Sequence, residues 1–143
     1  MCGIAGVIGD KPVSRFIYHS LFSVQHRGQS SAGMILYDGN IHVTKDAGLV
    51  RDVFYENSKI DVPGLLGLGH TRYSTAGMDD IKSLKRNAQP EYIINPFVTA
   101  VQNGNIYNCS DILKKATRKP RNECDIQCLI LPLADMLYKK EIT

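Results

Sequence analysis

The order of the apolar segments predicts an α+β or α/β fold with antiparallel strand pairing. Three observations support this class. The chain opens on a short apolar segment punctuated by glycine, and an Asp-Gly turn separates two later apolar runs, which is a strong hairpin signal. Helical patterns are interleaved with further short strands. The 143 residues correspond to one domain or to a piece of one.

The first predicted helix extends from Pro12 to a glycine stop at position 28. Ile17, Leu21 and Val24 recur at the spacing i, i+4 and i+7, with Phe16 beside them. This spacing places the four side chains on one apolar face, which we expect to pack against the strands.

The other elements follow from short apolar runs and from turn residues. The predicted strands are 2–9, 32–37, 41–45, 65–70 and 97–101. The predicted helices are 49–55, 110–115 and 126–138. Pro132 should kink or interrupt the last of these, because proline lacks the N–H that the helix needs. Residues 75–90 are polar and predict a loop.

Charge and hydropathy exclude two classes of partner. The chain has 17 Lys+Arg against 14 Asp+Glu, and its densest basic stretch, 114–121, is typical of a solvated helix end rather than a phosphate track. No apolar run approaches the roughly 18 residues of a membrane span, and the start lacks the pattern of a secretory signal. We therefore expect a soluble cytoplasmic protein that binds neither nucleic acid nor membrane.

The four cysteines are expected to be reduced in that compartment. They stand at positions 2, 109, 124 and 128. Cys124 and Cys128 lie four apart on a predicted helix, without the CxxC or HxxxH spacing that usually accompanies a metal site. A pair of buried or half-buried thiols is the simpler interpretation, and a metal site is the alternative.

Cys2 is the position that carries the most chemistry. Removal of Met1 would make it the N-terminal residue, with a thiol nucleophile and an α-amine on the same residue. The pKa of an α-amino group is roughly 7.7–8.0, so this amine can take the thiol proton without a histidine partner. A cysteine at position 2 also occurs by chance, so the residues that accompany it decide its significance.

Asn103-Gly104 and two charged residues could complete an acyl-transfer site. An Asn amide beside a Gly N–H, just after a strand, can stabilise an oxyanion, although Asn-Gly is also the commonest turn dipeptide. Arg72 follows a strand and could hold a carboxylate, and Asp125 begins a helical stretch and could pair with an ammonium. Taken alone, each charge is better explained as an ordinary surface charge or helix cap.

Five segments in order resemble a known family. They are CGIAGVIG at 2–9, QHRGQSSAG at 25–33, GLGHTRYSTAG at 67–77, NAQP at 87–90 and QNGNIYN at 102–108. Together they are similar to the glutaminase domain of the class II glutamine amidotransferases, the N-terminal-nucleophile group. Within that group the resemblance is closest to the enzymes that aminate phosphoribosylpyrophosphate at the start of purine biosynthesis.

The resemblance implies a role for each matched residue. Cys2 would attack the glutamine amide, and Asn103 and Gly104 would stabilise the oxyanion. Arg72 would bind the α-carboxylate of glutamine, and Asp125 its α-ammonium. Arg27 and Gly28 match the motif that lies beside the nucleophile and helps to shape the site. His70, Tyr73 and Thr75 fall inside the Arg72 motif, where each either lines the site or has a structural role.

Two segments depart from the family pattern. Gln102 stands where the family usually has His before Asn-Gly, which leaves the two oxyanion donors in place. Residues 123–127 read Glu-Cys-Asp-Ile-Gln, where the family usually has a Ser-Ser-Asp-Thr-Glu type of sequence. The carboxylate at Asp125 is retained, but its neighbours are not.

The resemblance also implies a four-layer αββα sandwich with antiparallel sheets, of which residues 1–143 would be the N-terminal portion. The phosphoribosyltransferase domain would then be absent, together with the Mg²⁺ that accompanies phosphoribosylpyrophosphate, and no cofactor is expected in this chain. An acceptor domain or subunit and an oligomer are the implied partners. The alternatives are a non-catalytic regulatory module that retains the front of the fold, or part of a glucosamine-6-phosphate synthase or a glutamate synthase.

Overall fold

The computed structural model describes residues 1–74 and 80–140, which divide into two units. The first unit comprises residues 1–90 and 101–103, and the second comprises 91–100 and the chain from 104 onward. In the described part of the chain no helix is both long and apolar enough to cross a bilayer.

A four-stranded antiparallel sheet forms the centre of the first unit. Its strands are β1 (Gly3–Ile8), β2 (Ser31–Tyr37), β3 (Ile41–Ala47) and β4 (Leu66–Arg72), in the spatial order β1-β4-β2-β3. Six consecutive residues of β2 are buried, as expected of an inner strand covered on both faces. The four predicted strands of this region are confirmed, with ends that differ by a few residues.

Helix α1 (Ser14–Ser23) covers one face of this sheet. Ile17 and Leu21 are fully buried, and they pack so closely on β4 that a Cβ at Gly69 would lie 2.6 Å from Ile17 Cγ2. Phe16 does not belong to this apolar face, because 65% of its surface is exposed. The i, i+4 spacing located the buried stripe correctly, and adjacency in sequence misplaced Phe16.

The glycine stop expected at position 28 is not the end of α1. The α-helix ends at Ser23, and a single 3₁₀ turn follows at Gln25–Arg27. Gly28 has an extended backbone, with φ of −159°, so it does not serve as a left-handed helix cap. Its small size is required for a different reason, a close approach to β4 that is described below.

Two short helices and a tight turn complete the sequence up to β4. The helices are α2 (Val50–Val53) and α3 (Asn57–Ile60), of which only the first was predicted. The predicted Asp-Gly hairpin is present between β2 and β3, with Gly39 at φ 108°, a conformation that a residue with a side chain rarely adopts. The Asn40 N–H donates to Asp38 Oδ1 at 2.9 Å and holds this turn closed.

The loop predicted over 75–90 is wrong at residues 81–86, which form a helix. Residues 75–79, including Thr75, lie outside the described residues. Residues Ile81–Arg86 form helix α4. Asp80 caps its N-terminus, because the Asp80 carboxylate accepts the Ser83 N–H at 2.6 Å. The four residues 87–90 that follow are buried, although three of them are polar or proline. The loop prediction therefore holds at 87–90, but the polarity of the segment did not reveal that this connection is buried.

The second unit contains a hairpin and two helices. The strands are β5 (Glu91–Ile93) and β6 (Val98–Ala100), and the helices are α5 (Cys109–Leu113) and α6 (Gln127–Tyr138). Strand β5 was not predicted, because residues 91–96 were assigned to no element. The core of this unit comprises Ile93, Val98, Cys124, Ile126, Ile130, Leu131 and Ala134.

Helix α6 continues through Pro132 without interruption, so of the two expected outcomes, a kink or a break, the break is wrong. Its buried face is formed by residues at helical spacing, among them Ile130, Leu131 and Ala134. Burial of this stripe compensates for the missing N–H at the proline. The mixture of helices and antiparallel sheets confirms the predicted α+β class.

Candidate active site

Cys2 is held by its main chain at the start of β1. The Cys2 N–H donates to Asn103 Oδ1 at 2.9 Å, and the Cys2 carbonyl accepts from Arg27 Nε at 2.9 Å. The next residue, Gly3, donates its N–H to Thr71 Oγ1 at 3.2 Å. The residue predicted as nucleophile is thus fixed by contacts to two of the other predicted site residues. Its side chain is half-buried.

Arg27 reaches Cys2 because the segment after α1 lies directly on β4. A Cβ at Gly28 would lie 2.6 Å from the Thr71 carbonyl oxygen and from the Arg72 carbonyl carbon, closer than any side chain can approach. Only glycine allows this contact, which explains why Gly follows Arg in the motif. Gly28 therefore acts by bringing Arg27 up to the chain around Cys2.

The main chain before Asn103 is fixed on both sides. The Gln102 N–H donates to Gln89 Oε1 at 2.7 Å, and the Gln102 carbonyl accepts from His70 Nε2 at 2.9 Å. Because the two contacts grip the residue just before Asn103, they restrict where the Asn103 amide can be placed. Gln89 and His70 are both buried, so these bonds are shielded from water.

His70 makes its contact as a neutral imidazole. Since a carbonyl oxygen only accepts, Nε2 must carry the proton in the bond to Gln102. The pKa of His70 is lowered to about 4, mainly because the ring is buried. The bond to Gln102 raises the pKa and the positive charge of Arg72 lowers it, and both effects are smaller than that of burial. Among the described residues, Nδ1 has no hydrogen-bond partner, so a second proton there would be buried without an acceptor.

Arg72 is the last residue of β4 and is half-buried. Its carbonyl accepts the Ser30 N–H at 3.0 Å, which joins it to the segment after Gly28. Tyr73 next to it is exposed, which agrees with a position at the edge of the site rather than in the core. The structure thus places Cys2, Arg27, Gly28, Arg72 and Asn103 in one unit.

Asp125 and Gly104 belong to the second unit. The Asp125 Oδ2 atom accepts the Ile106 N–H at 2.7 Å, so this carboxylate fixes the chain that follows Gly104 and Asn105. Asp125 also lines a cavity of about 370 Å³ together with Glu123, Asn122 and other residues of this unit. Gly104 itself is exposed.

The residues that depart from the family pattern around Asp125 have structural contacts of their own. Gln127 is buried at the start of α6, where Nε2 donates to Glu91 Oε2 at 2.6 Å and to Asn122 Oδ1 at 2.9 Å. Its Oε1 accepts the Arg121 N–H at 2.7 Å. This network fixes the first turn of α6, two residues after Asp125.

Gln89 is the residue of this site that the sequence did not reveal. It lies in the NAQP segment, to which no role was assigned, and its side chain makes the bond to the Gln102 N–H. Lys45 holds this segment in place, since its Nζ donates to the carbonyls of Ala88 and Pro90 at 2.6 and 3.0 Å. A buried glutamine in a polar stretch was the available signal, but burial could not be deduced from that stretch.

No cluster of three or more His, Cys, Asp or Glu side chains among the described residues is arranged to hold a metal ion. Cys124 and Cys128 are both buried, as the thiol-pair interpretation expected. The Cys128 sulfur, however, contacts Cys109 at 2.8 Å, a residue that the spacing argument had not considered.

Curated relatives share sequence with nearly the whole chain. The chain is 38% identical over 144 residues to an amidophosphoribosyltransferase of Haemophilus influenzae, which covers 96% of the chain and 28% of that protein. It is 41% identical over 124 residues to an amidophosphoribosyltransferase of Escherichia coli, covering 85% of the chain and 24% of the relative. The chain thus spans about a quarter of the length of these relatives.

Solved structures agree with the sequence comparison. An allosteric regulatory enzyme of purine biosynthesis superposes with a TM-score of 0.78 at 29% identity, and the glutamine phosphoribosylpyrophosphate amidotransferase of Bacillus subtilis, in complex with ADP and GMP, with 0.74 at 30%. Both alignments cover 90% of this chain and 28% of the other. No family model matches the sequence.

Proposed function

The chain is a homologue of the amidophosphoribosyltransferases that corresponds to their N-terminal glutaminase portion, and from this relationship we propose that it hydrolyses the side-chain amide of glutamine to glutamate and ammonia. The observation that carries this proposal is the contact of Cys2 with Asn103 and Arg27. A nucleophile and an oxyanion donor that lie far apart in the sequence are hydrogen-bonded to each other.

Removal of Met1 converts the Cys2 N–H into an α-amine. That nitrogen lies 2.9 Å from Asn103 Oδ1, so the amide carbonyl orients the amine while the amine accepts the thiol proton. The thiolate then attacks the amide carbon of glutamine, and the same proton leaves with ammonia. A γ-glutamyl thioester remains on Cys2, and water hydrolyses it to glutamate.

Asn103 stabilises the tetrahedral intermediates of both steps. Because its Oδ1 is engaged by the Cys2 nitrogen, the other end of the amide, Nδ2, is the end that donates to the oxyanion. The N–H of Gly104 is proposed as the second donor. The bonds from His70 and Gln89 to Gln102 hold this pair before substrate binds, so little reorganisation is needed during the reaction.

Arg72 and Asp125 are proposed to bind the two charged groups of glutamine. The guanidinium of Arg72 pairs with the α-carboxylate, and Asp125 pairs with the α-ammonium. These roles rest on the matched motifs, together with the half-buried position of each side chain. Arg27 and Gly28 are proposed to shape the site around Cys2, and Thr75 stays a prediction.

In the whole protein, ammonia produced at Cys2 is proposed to aminate phosphoribosylpyrophosphate on a transferase domain or subunit, in the first step of purine biosynthesis. The similarity to amidophosphoribosyltransferases favours this acceptor over those of glucosamine-6-phosphate and glutamate synthases. Mg²⁺ would accompany the phosphoribosylpyrophosphate in that domain, and oligomerisation is part of the same proposal. So is a cytoplasmic location, since the proposed nucleophile must stay a reduced thiol.

The test measures the release of glutamate from glutamine. The protein used is one from which Met1 has been removed, as verified by intact mass. Wild-type chain should release glutamate, and Cys2→Ala should abolish the release. Ser20→Ala is the control, because it changes an exposed side chain on α1 and should retain activity. If processed wild-type chain neither releases glutamate nor reacts at Cys2 with an electrophilic glutamine analogue, the chain is a non-catalytic module instead.

Asn103→Ala separates the oxyanion role from binding. The substitution should lower kcat by about 100- to 1000-fold with a smaller change in KM, as for removal of one oxyanion donor. Asn105→Ala, an exposed neighbour in the same turn, should leave both constants close to wild type. Equal losses in the two variants would assign Asn103 to the turn rather than to catalysis.

A further inference from the structure

Two cysteines of the second unit are in direct contact. Cys109 Sγ lies 2.8 Å from Cys128 Sγ, closer than two unbonded sulfur atoms normally stand and longer than the roughly 2.0 Å of a disulfide bond. Both are free thiols in the structure. They are 19 positions apart in the sequence, on α5 and on α6, so their contact is a product of the fold.

Small molecules can reach this pair from solvent. Cys109 and Cys128 both line the cavity of about 370 Å³ that also contains Asp125. Cys109 is half-buried and Cys128 is buried, so one thiol is accessible and the other is directly behind it. A peroxide is far smaller than this cavity.

We propose that Cys109 and Cys128 are a redox-sensitive dithiol that a peroxide converts into an intramolecular disulfide. In the first step the Cys109 thiolate attacks one oxygen of hydrogen peroxide, the O–O bond breaks, and a sulfenic acid and hydroxide form. In the second step the Cys128 sulfur attacks the sulfenic sulfur, the S–O bond breaks, and the thiol proton leaves with the oxygen as water. The two sulfurs are oxidised by two electrons, and the peroxide is reduced to two waters.

The order of the two steps follows from the surroundings of each sulfur. Burial raises the pKa of the Cys128 thiol, and the adjacent Cys109 thiol and the carboxylate of Asp125 raise it further. Cys128 therefore stays protonated and is a poor first target for a peroxide. Cys109 is the more accessible thiol, and its conversion to a neutral sulfenic acid removes one cause of the high pKa of its partner.

The cross-link would join two elements that already define the cavity. Cys109 Sγ also lies 3.4 Å from the Asp125 carbonyl oxygen, to which it donates, and this bond is lost when the thiol is oxidised. The disulfide would tie the first residue of α5 to the first turn of α6. Close thiols in a reducing compartment are typically transient redox elements rather than structural bridges.

The test uses a Cys2→Ser chain, so that the thiol proposed as nucleophile does not contribute. The chain is treated with hydrogen peroxide, denatured, alkylated and digested without reductant. We expect loss of two of the three thiols, a linked peptide pair that contains Cys109 and Cys128, and full return of both thiols with dithiothreitol. Hydrolysis of glutamine is not measured, so this experiment stands apart from the test of the proposed function.

Matched variants identify the sulfurs that react. Cys109→Ser should leave the other two thiols titratable after peroxide, whereas Cys124→Ala should still lose two. The peptide map of the Cys2→Ser chain identifies the linked sulfurs without any change at Cys124, should that buried variant not fold. A linkage through Cys124, or overoxidation of Cys109 without a cross-link, would overturn the proposal.

Discussion

His70 should make the stability of the chain depend on pH in a range where few other groups titrate. In the folded chain its pKa lies at about 4, below the ordinary value of 6.5, because the ring is buried. The unfolded chain therefore binds the proton first as the pH falls. The contribution of the neutral ring to stability is fully present above pH 6.5 and is lost progressively between pH 6.5 and pH 4.

The magnitude follows from the same two pKa values. The full difference corresponds to about 3 kcal/mol at roughly 1.4 kcal/mol per pH unit. Integrated from pH 7 down to pH 5, the expected loss in the free energy of unfolding is about 2 kcal/mol. Carboxyl groups of ordinary pKa, near 4, remain mostly ionised over this interval, so they contribute little.

Urea unfolding at pH 7 and pH 5, followed by circular dichroism, measures this loss. His70→Gln should show most of its pH dependence removed, because the amide can still donate to the Gln102 carbonyl but does not titrate. His19→Gln changes an exposed histidine on α1 and should retain the wild-type dependence. If wild type and His70→Gln lose equal stability between the two pH values, the buried neutral histidine is not the cause.

Three further predictions concern packing. Gln89→Ala should lower the free energy of unfolding by about 1–3 kcal/mol, measured in urea, because the Gln102 N–H loses its acceptor. Gly28→Ala should cost about 1–3 kcal/mol or more, since its Cβ would overlap the main chain of β4, whereas Gly6→Ala meets only the end of a flexible side chain at 3.3 Å and should be near neutral. Pro132→Ala should raise the free energy of unfolding by up to about 3 kcal/mol, measured as a higher urea midpoint, because it restores a helical N–H.

Each of these has an outcome that contradicts it. An unchanged urea midpoint in Gln89→Ala would mean that water replaces the lost acceptor. Equal stability of Gly28→Ala and Gly6→Ala would show that β4 can move away from a side chain at position 28. A lower midpoint in Pro132→Ala would mean that the pyrrolidine ring contributes more through packing than the missing N–H costs.

The elements with a clear period were the ones that the sequence predicted. The strands of the first sheet and the buried face of α1 follow from short apolar runs, from the hairpin turn and from the 3.6-residue spacing, all of which are local. Phe16 was misjudged because tertiary packing determines which side chains are buried, and its side chain falls outside the buried stripe. The helix around Pro132 was predicted, but the break considered there is absent because α6 tolerates a proline within it.

The sequence identified residues proposed to react at the candidate site, but not the buried side chain that holds the main chain beside them. Cys2, Arg27 and Asn103 were identified from residue type and motif order, and the structure brings them into contact. The role of each residue in turnover stays a prediction until the assays above are made. Gln89 and the contact of Cys109 with Cys128 could not be foreseen, because both depend on which distant segments meet in the fold.

Position 102 has a consequence for how a substitution there is interpreted. The two bonds that hold it use its N–H and its carbonyl, groups that every residue except proline provides. These two bonds therefore depend on the side chains of Gln89 and His70 and on the main chain of residue 102, not on its side chain. Glutamine at 102 is compatible with both bonds, so a glutamine in place of histidine there does not by itself release the main chain before Asn103.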